Sequence, residues 1–155
     1  MTGDESRSRI FIASSNESVS VAEYLQDLLD DHFETTVWTQ GVVGVSRTIL
    51  DSLIGAARDY DYAILVLGAD DVVARRGSWA GAPRDNVIFE LGLFIGALGK
   101  DKTFIVHSRD TPPSIPTDLL GVTAAAYRER QDGNLRAALG PVSLRIREAI
   151  RPRPA

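Results

Sequence analysis

A chain of 155 residues, 44% hydrophobic and 25% charged, has the size and balance of one globular domain able to bury a core. It contains no cysteine, which removes disulfides, thiolate metal sites and a cysteine nucleophile, and its formal charge of −4 offers no general attraction to a nucleic-acid polymer. The polar stretch Met1 to Arg9 lacks the apolar centre of a signal peptide, and no apolar run reaches the ~20 residues of a membrane helix, so a cytoplasmic location without a membrane partner is expected.

Arg9-Ile10-Phe11-Ile12-Ala13 is rich in β-formers and predicts a first strand, ended by the turn-forming Ser14-Ser15-Asn16. Val21, Leu25, Leu28 and Leu29 then recur at helical spacing with acids between them, so an amphipathic helix is expected from about Ser18 to His32. Glu34 to Trp38 reads as a second strand and Thr39 to Ser46 as a loop carrying Gly41 and Gly44. Ile49, Leu50, Leu53, Ile54 and Ala57 form the stripe of a second helix. Tyr62 to Leu67 is continuously apolar, as in a central parallel strand covered on both faces. A long irregular connection from Gly68 to Arg84 is expected next, and loops of that length tend to be functional. Val87 to Leu98 is a near-continuous apolar helical segment and Lys102 to Val106 a fourth strand. The proline-rich piece Pro112 to Pro116 cannot be regular, Ala124 to Tyr127 suits a short edge strand, and Leu135 to Ile150 a closing helix.

This alternation predicts the α/β class: a flavodoxin-like, parallel five-stranded sheet in the order 2-1-3-4-5 with helices on both faces. Ligands of such sheets bind beyond the carboxyl ends of the strands where the order reverses, here between the first and third strands, which release Ser14 to Ser18 and Gly68 to Arg84. The expected organisation is a flexible N-terminus over 1–8, one domain over 9–150, and a tail or the start of a linker over 151–155.

The segment Pro83-Arg84-Asp85-Asn86-Val87-Ile88-Phe89-Glu90-Leu91-Gly92 is the most informative, because from Asn86 to Gly99 the only ionisable side chain is Glu90. A carboxylate in a helix apolar on every face costs several kcal/mol unless it is paired or used. Asp85 or Asn86 reads as the N-cap, which puts Glu90 in or just after the first turn; it is then either a working carboxylate with a raised pKa or a capping glutamate that answers Asn86 or pairs with Arg84. Gly92, Gly96 and Gly99 permit close backbone approach, most simply of the sheet. Ser14 and Ser15 could hold a ribose or phosphate, or cap the first helix. Trp38 and Trp79 lie at loop edges, where an indole either stacks on a flat ring or lids the core. There is no dinucleotide fingerprint and no Walker-type loop, and His32 and His107 have no ligand spacing. Asp70-Asp71 reads as turn acids rather than a metal site, and Arg145, Arg147, Arg151 and Arg153 as a solvated basic end.

Phe11-Ile12-Ala13-Ser14-Ser15, Val37-Trp38-Thr39-Gln40, Asp61-Tyr62-Ala63 with Asp70-Asp71-Val72-Val73, and above all the run from Ala82 to Phe94 resemble bacterial TIR-like domains. These are the TIR domains of cyclic-oligonucleotide anti-phage effectors, of the TIR-STING, TIR-SAVED and Pycsar types. The resemblance spans about Arg9 to Tyr127. It implies hydrolysis of NAD to nicotinamide and ADP-ribose products upon assembly, with Glu90 as the catalytic carboxylate and NAD as substrate rather than cofactor. Together with the positions of Ser14, Ser15 and Trp38 read above, the motif makes Ser14, Ser15, Trp38, Arg84, Asp85 and Asn86 the candidate substrate-binding residues, and no metal is expected. It also implies self-association through the loop Thr39 to Ser46, and a cyclic-oligonucleotide sensor domain in cis or in trans. Animal members of the superfamily carry a tryptophan one turn before the glutamate; Asn86 stands there in this chain. Two other readings stay open. Phe89-Glu90-Leu91-Gly92 with Ala97-Leu98-Gly99-Lys100 also resembles nucleoside 2-deoxyribosyltransferases, and a TIR scaffold could polymerise or bind a nucleotide without catalysis.

Overall fold

The computed structural model describes residues 7–38, 49–69, 71–75, 77–82, 85–115 and 121–150. In chain order the elements are β1 (Arg9–Ser14), α1 (Val19–Leu29), β2 (Glu34–Val37), α2 (Ile49–Asp59), β3 (Tyr62–Val66), β4 (Asp71–Arg75), β5 (Ser78–Ala82), α3 (Asp85–Leu98), β6 (Thr103–Ser108), β7 (Thr123–Tyr127) and α4 (Leu135–Ile150). Five parallel strands form one sheet in the order β2-β1-β3-β6-β7. Counting only the strands of this sheet, that is the expected order 2-1-3-4-5, with the reversal between β1 and β3.

The apolar runs of the central strands serve both faces, because successive side chains point to opposite sides. Ile10, Ile12, Ile64, Val66, Phe104 and Val106 join Leu25 and Leu29 of α1 and Leu139, Val142 and Ile146 of α4 in one core. Phe11, Ala13, Ala63, Leu65 and Ile105 point the other way, onto Leu53 and Ala57 of α2 and Val87, Leu91 and Phe94 of α3. At the centre of this second core the rings of Phe11 and Phe94 stack with centroids 5.0 Å apart.

The stretch from Gly68 to Arg84, expected to be irregular, contains instead an antiparallel hairpin of β4 and β5, separate from the main sheet. Arg75 pairs with Ser78, so the connection is the two residues Arg76-Gly77, and Gly77 has φ +81°, the left-handed conformation that such tight turns require. The signal was present as an X-Gly dipeptide between two short runs. The runs themselves, Asp71-Val-Val-Ala-Arg75 and Ser78-Trp-Ala-Gly-Ala82, are too weakly apolar to announce strands. The hairpin is tied at its base: a Cβ on Gly81 would lie 2.7 Å from the Cβ of Ala69, and the Gly81 carbonyl accepts the Ser114 amide at 2.8 Å.

Candidate active site

The last strand residues before each loop, Ser14 of β1, Val66 of β3 and Ser108 of β6, define the carboxyl edge of the sheet; α3 runs back from it beneath β1, β3 and β6. Because α3 begins at Asp85, Glu90 is its sixth residue, in the second turn rather than at the cap. The third position, from which a capping glutamate would reach back, is Val87, which is buried in the core. The capping account of Glu90 therefore fails on geometry, while the alternative of a pair with Arg84 falls on a residue outside the described ones. Glu90 lies beside the stripe Val87, Leu91, Phe94 and is itself half-buried. Among the described residues no hydrogen bond or ion pair to its carboxylate is found, and burial pushes its pKa from the ordinary 4.5 up to about 7. Such a carboxyl changes charge near neutrality, as a working acid or base does.

The remaining faces of α3 correct a second expectation. The helix is apolar all round, yet Phe89 is 55% exposed, and Gly92 and Gly96 sit on the same outer side with open space where a Cβ would be. These glycines do not admit the sheet.

Ser14, Ser15 and Trp38 meet at the carboxyl edge. Trp38 follows β2, its backbone N–H donates to the Ile12 carbonyl at 2.9 Å, and its indole N–H donates to the Ser14 hydroxyl at 3.2 Å. The Ser14 hydroxyl in turn donates to the Ser15 carbonyl at 3.0 Å. Both serines are buried, at 6% and 7% exposure, and neither Ser15 nor Ser18 caps the following turns through its side chain, so the capping account of this pair also fails. Ser14 acts as a strut that fixes the indole, which leans on both cores. Trp79 does the opposite: on β5 it is 77% exposed and, among the described residues, belongs to neither core. Asn86 is exposed at the start of α3. Arg84, Asp70, the loop Thr39 to Ser46 and the tail over 151–155 lie outside the described residues, as does the side chain of Asp85.

A cavity of about 330 Å³ opens beyond the carboxyl ends of β3 and β6, between Ser18, Leu67, Gly68, Ser108, Thr111 and Tyr127. Glu90 does not line it. Ser108 and Thr111 escape a reading that ends the fourth strand at Val106; β6 runs on to Ser108. There the Ser108 hydroxyl donates to Glu129 at 2.9 Å and accepts the amides of Asp110 and Thr111, both at 3.2 Å, closing the loop upon itself. Among the described residues no group of three or more His, Asp or Glu side chains gathers as a metal site, and no helix is long and apolar enough to cross a membrane.

Residues 9–129 match the family described as CAP12/Pycsar effector protein, TIR domain. The Pycsar effector protein BcPycTIR of Burkholderia cepacia is 37% identical over 143 residues, covering 92% of this chain and 47% of that protein. CD-NTase-associated protein 12 of Sphingobacterium faecium is 42% identical over 121 residues, 78% of this chain and 36% of that protein. The Pycsar effector protein PaPycTIR of Pseudomonas aeruginosa is 38% identical over 142 residues, 90% of this chain and 46% of that protein. The chain thus spans less than half the length of these relatives. Sequence match, strand order and the α3 segment agree: the chain belongs to the TIR domain family of CAP12 and Pycsar effectors.

Proposed function

We propose that this chain is the NAD-cleaving domain of a cytoplasmic anti-phage effector, hydrolysing the nicotinamide N-glycosidic bond when a nucleotide second messenger drives its assembly. The observation that carries the reading is Glu90: after Asp85 at the start of α3 it is the helix's one ionisable side chain, half-buried, with its pKa raised to about 7 by desolvation. The reaction breaks the bond between ribose C1′ and the nicotinamide nitrogen and forms one to a water oxygen; NAD+ and water give nicotinamide, ADP-ribose and a proton. The leaving nitrogen is cationic before cleavage and departs neutral, so no acid need protonate it. What remains for the protein is the oxocarbenium-like charge that develops on the ribose, and an ionised Glu90 facing it and the ribose hydroxyls supplies the stabilisation. Ser14, Ser15, Arg84, Asp85 and Asn86 would hold the rest of the substrate, with the strutted Trp38 or the exposed Trp79 stacking on a ring. The names of the relatives, CD-NTase-associated and Pycsar effector, support a cyclic-nucleotide setting. Exposed Phe89 beside Gly92 and Gly96 supports self-association, since apolar surface of this kind is commonly covered in assemblies.

The test is nicotinamide release from NAD by the chain at high concentration or under crowding, beside a folded Glu90→Gln variant. Release by the wild type alone supports the reading. Exchange of free bases between deoxynucleosides would instead identify a deoxyribosyltransferase, and a Glu90→Gln protein that behaves as wild type in infected cells would identify a scaffold.

A further inference from the structure

The carboxyl end of β7 carries a concentration of positive charge that the chemistry at Glu90 does not use. A second cavity, of about 190 Å³, lies between β7 and α4, and four arginines line it: Arg109, Arg128, Arg130 and Arg145. No acidic residue is among its described lining. Arg130 is already neutralised by Asp132 at 2.7 Å. For the other three no acidic partner is found among the described residues, and Arg145 is steered into place by donating to the Ala126 carbonyl at 3.3 Å.

The sheet itself forces two of these charges together. Parallel pairing runs His107 to Ala126 and Ser108 to Tyr127, and the Arg109 amide continues it by donating to the Tyr127 carbonyl at 2.8 Å. Arg109 and Arg128 therefore leave adjacent strands side by side, a like-charge juxtaposition that is unfavourable with nothing between them. Three exposed arginines lining one small cavity offer guanidinium forks of the kind that match the oxygens of a phosphoryl group, which can take paired hydrogen bonds from each. Asp110, Glu129 and Asp132 line the adjoining cleft, so on a chain of net charge −4 the positive patch is confined to the smaller cavity, and an anion would be drawn there and not to the surface at large.

We propose that the cavity between β7 and α4 is a phosphoryl-binding site, with Arg109, Arg128 and Arg145 holding the phosphate end of a small phosphate ester. A wider cleft of about 610 Å³ shares Arg128 and Arg130 with it; Asp110, Glu129 and Asp132 also line that cleft, so it offers room only for an uncharged or cationic esterified part, with the phosphate held on the arginine side. The site lies against α4, in the layer opposite α3, and is independent of the reading of Glu90.

Amide proton–nitrogen correlation spectra of the whole chain, titrated with sodium phosphate, with AMP, and with sodium chloride at matched ionic strength, test this. Phosphate and AMP should shift the amides of Arg109, Arg128 and Arg145 saturably, sodium chloride should not, and the double variant R109A/R128A should weaken the affinity at least about tenfold. Tighter saturation by AMP assigns an ester as the ligand; equal affinity assigns free phosphate to the same site. Shifts that follow sodium chloride, or a saturation unchanged in the double variant, overturn the proposal. The wild-type titration decides alone should the variant fail to fold.

Discussion

The two helical layers of this domain are built to different standards. On the α1 and α4 side, the buried apolar residues face the sheet while Tyr24 and Leu144 stand exposed, and an ion pair between Asp27 and Arg136 joins the two helices. On the α2 and α3 side, α3 buries Val87, Leu91 and Phe94 equally well but turns Phe89 and two glycines outward and keeps a carboxylate at the boundary. The first layer has its own departures from what stability alone would select, Pro141 inside α4 and the buried Nε of Arg147 without a hydrogen-bond partner among the described residues. The second keeps a half-buried carboxylate whose pKa burial has raised, which stability alone would remove, and such a departure from local consistency is expected where a protein works.

The strongest way to break this contrast is at Glu90. Glu90→Gln is expected to lower nicotinamide release by about a thousandfold or more, equivalent to ~4 kcal/mol of transition-state stabilisation, while circular dichroism stays unchanged. Wild-type activity in that variant would reduce the second layer to an ordinary core. Leu139→Ala, at the heart of the other layer, should cost about 2–5 kcal/mol in denaturant unfolding and leave the pH profile of the surviving activity alone.

A smaller effect sharpens the comparison through pH. The Glu90 carboxyl is at about 7 in the folded chain and near 4.5 when unfolded, so the folded state binds more protons between those values. Folding stability contributed by this group is therefore full below pH 4.5 and falls as pH rises through about 7. Allowing for solvent screening of a half-buried group, the loss is about 1–2 kcal/mol. Urea midpoints at acidic and alkaline pH should show it, and Glu90→Gln should abolish it, making the variant the more stable protein above neutrality. Activity should move the other way, rising through about pH 7 as the carboxylate ionises. Trp38→Phe removes the indole donor to Ser14 and should cost about 1 kcal/mol. Phe89→Ser should change stability by no more than about 0.5 kcal/mol, because the ring is largely exposed, yet it should weaken self-association in sedimentation experiments.

Much of the fold was legible because continuous apolar runs and helical periodicity are consequences of burial on two faces, and those runs are long here: Tyr62 to Leu67 could hardly be anything but a central strand. The lone Glu90 stood out for the same reason, as one charge in a stretch whose other side chains are uncharged. Three things were not legible. The β4–β5 hairpin depends on a two-residue turn between weak strands. The outward face of α3 has the composition of a buried one, and composition does not say which side of an all-apolar helix meets water. The service of Ser14 to Trp38 joins positions 24 apart, a contact only the neighbouring β1 and β2 create.

The strand order has a consequence for how the chain is made. β1 is flanked by β2, through pairs such as Arg9 with Glu34, and by β3, through pairs such as Ile10 with Tyr62. As the ribosome releases the polypeptide, β1 can dock on β2 early, but its other edge stays bare until Tyr62–Val66 has emerged. During that interval the nascent chain presents a short, strongly apolar strand edge to its surroundings. The time taken to synthesise and release the chain between Val37 and Val66 therefore bounds how long a newborn molecule is exposed to mispairing with its neighbours on the same polysome.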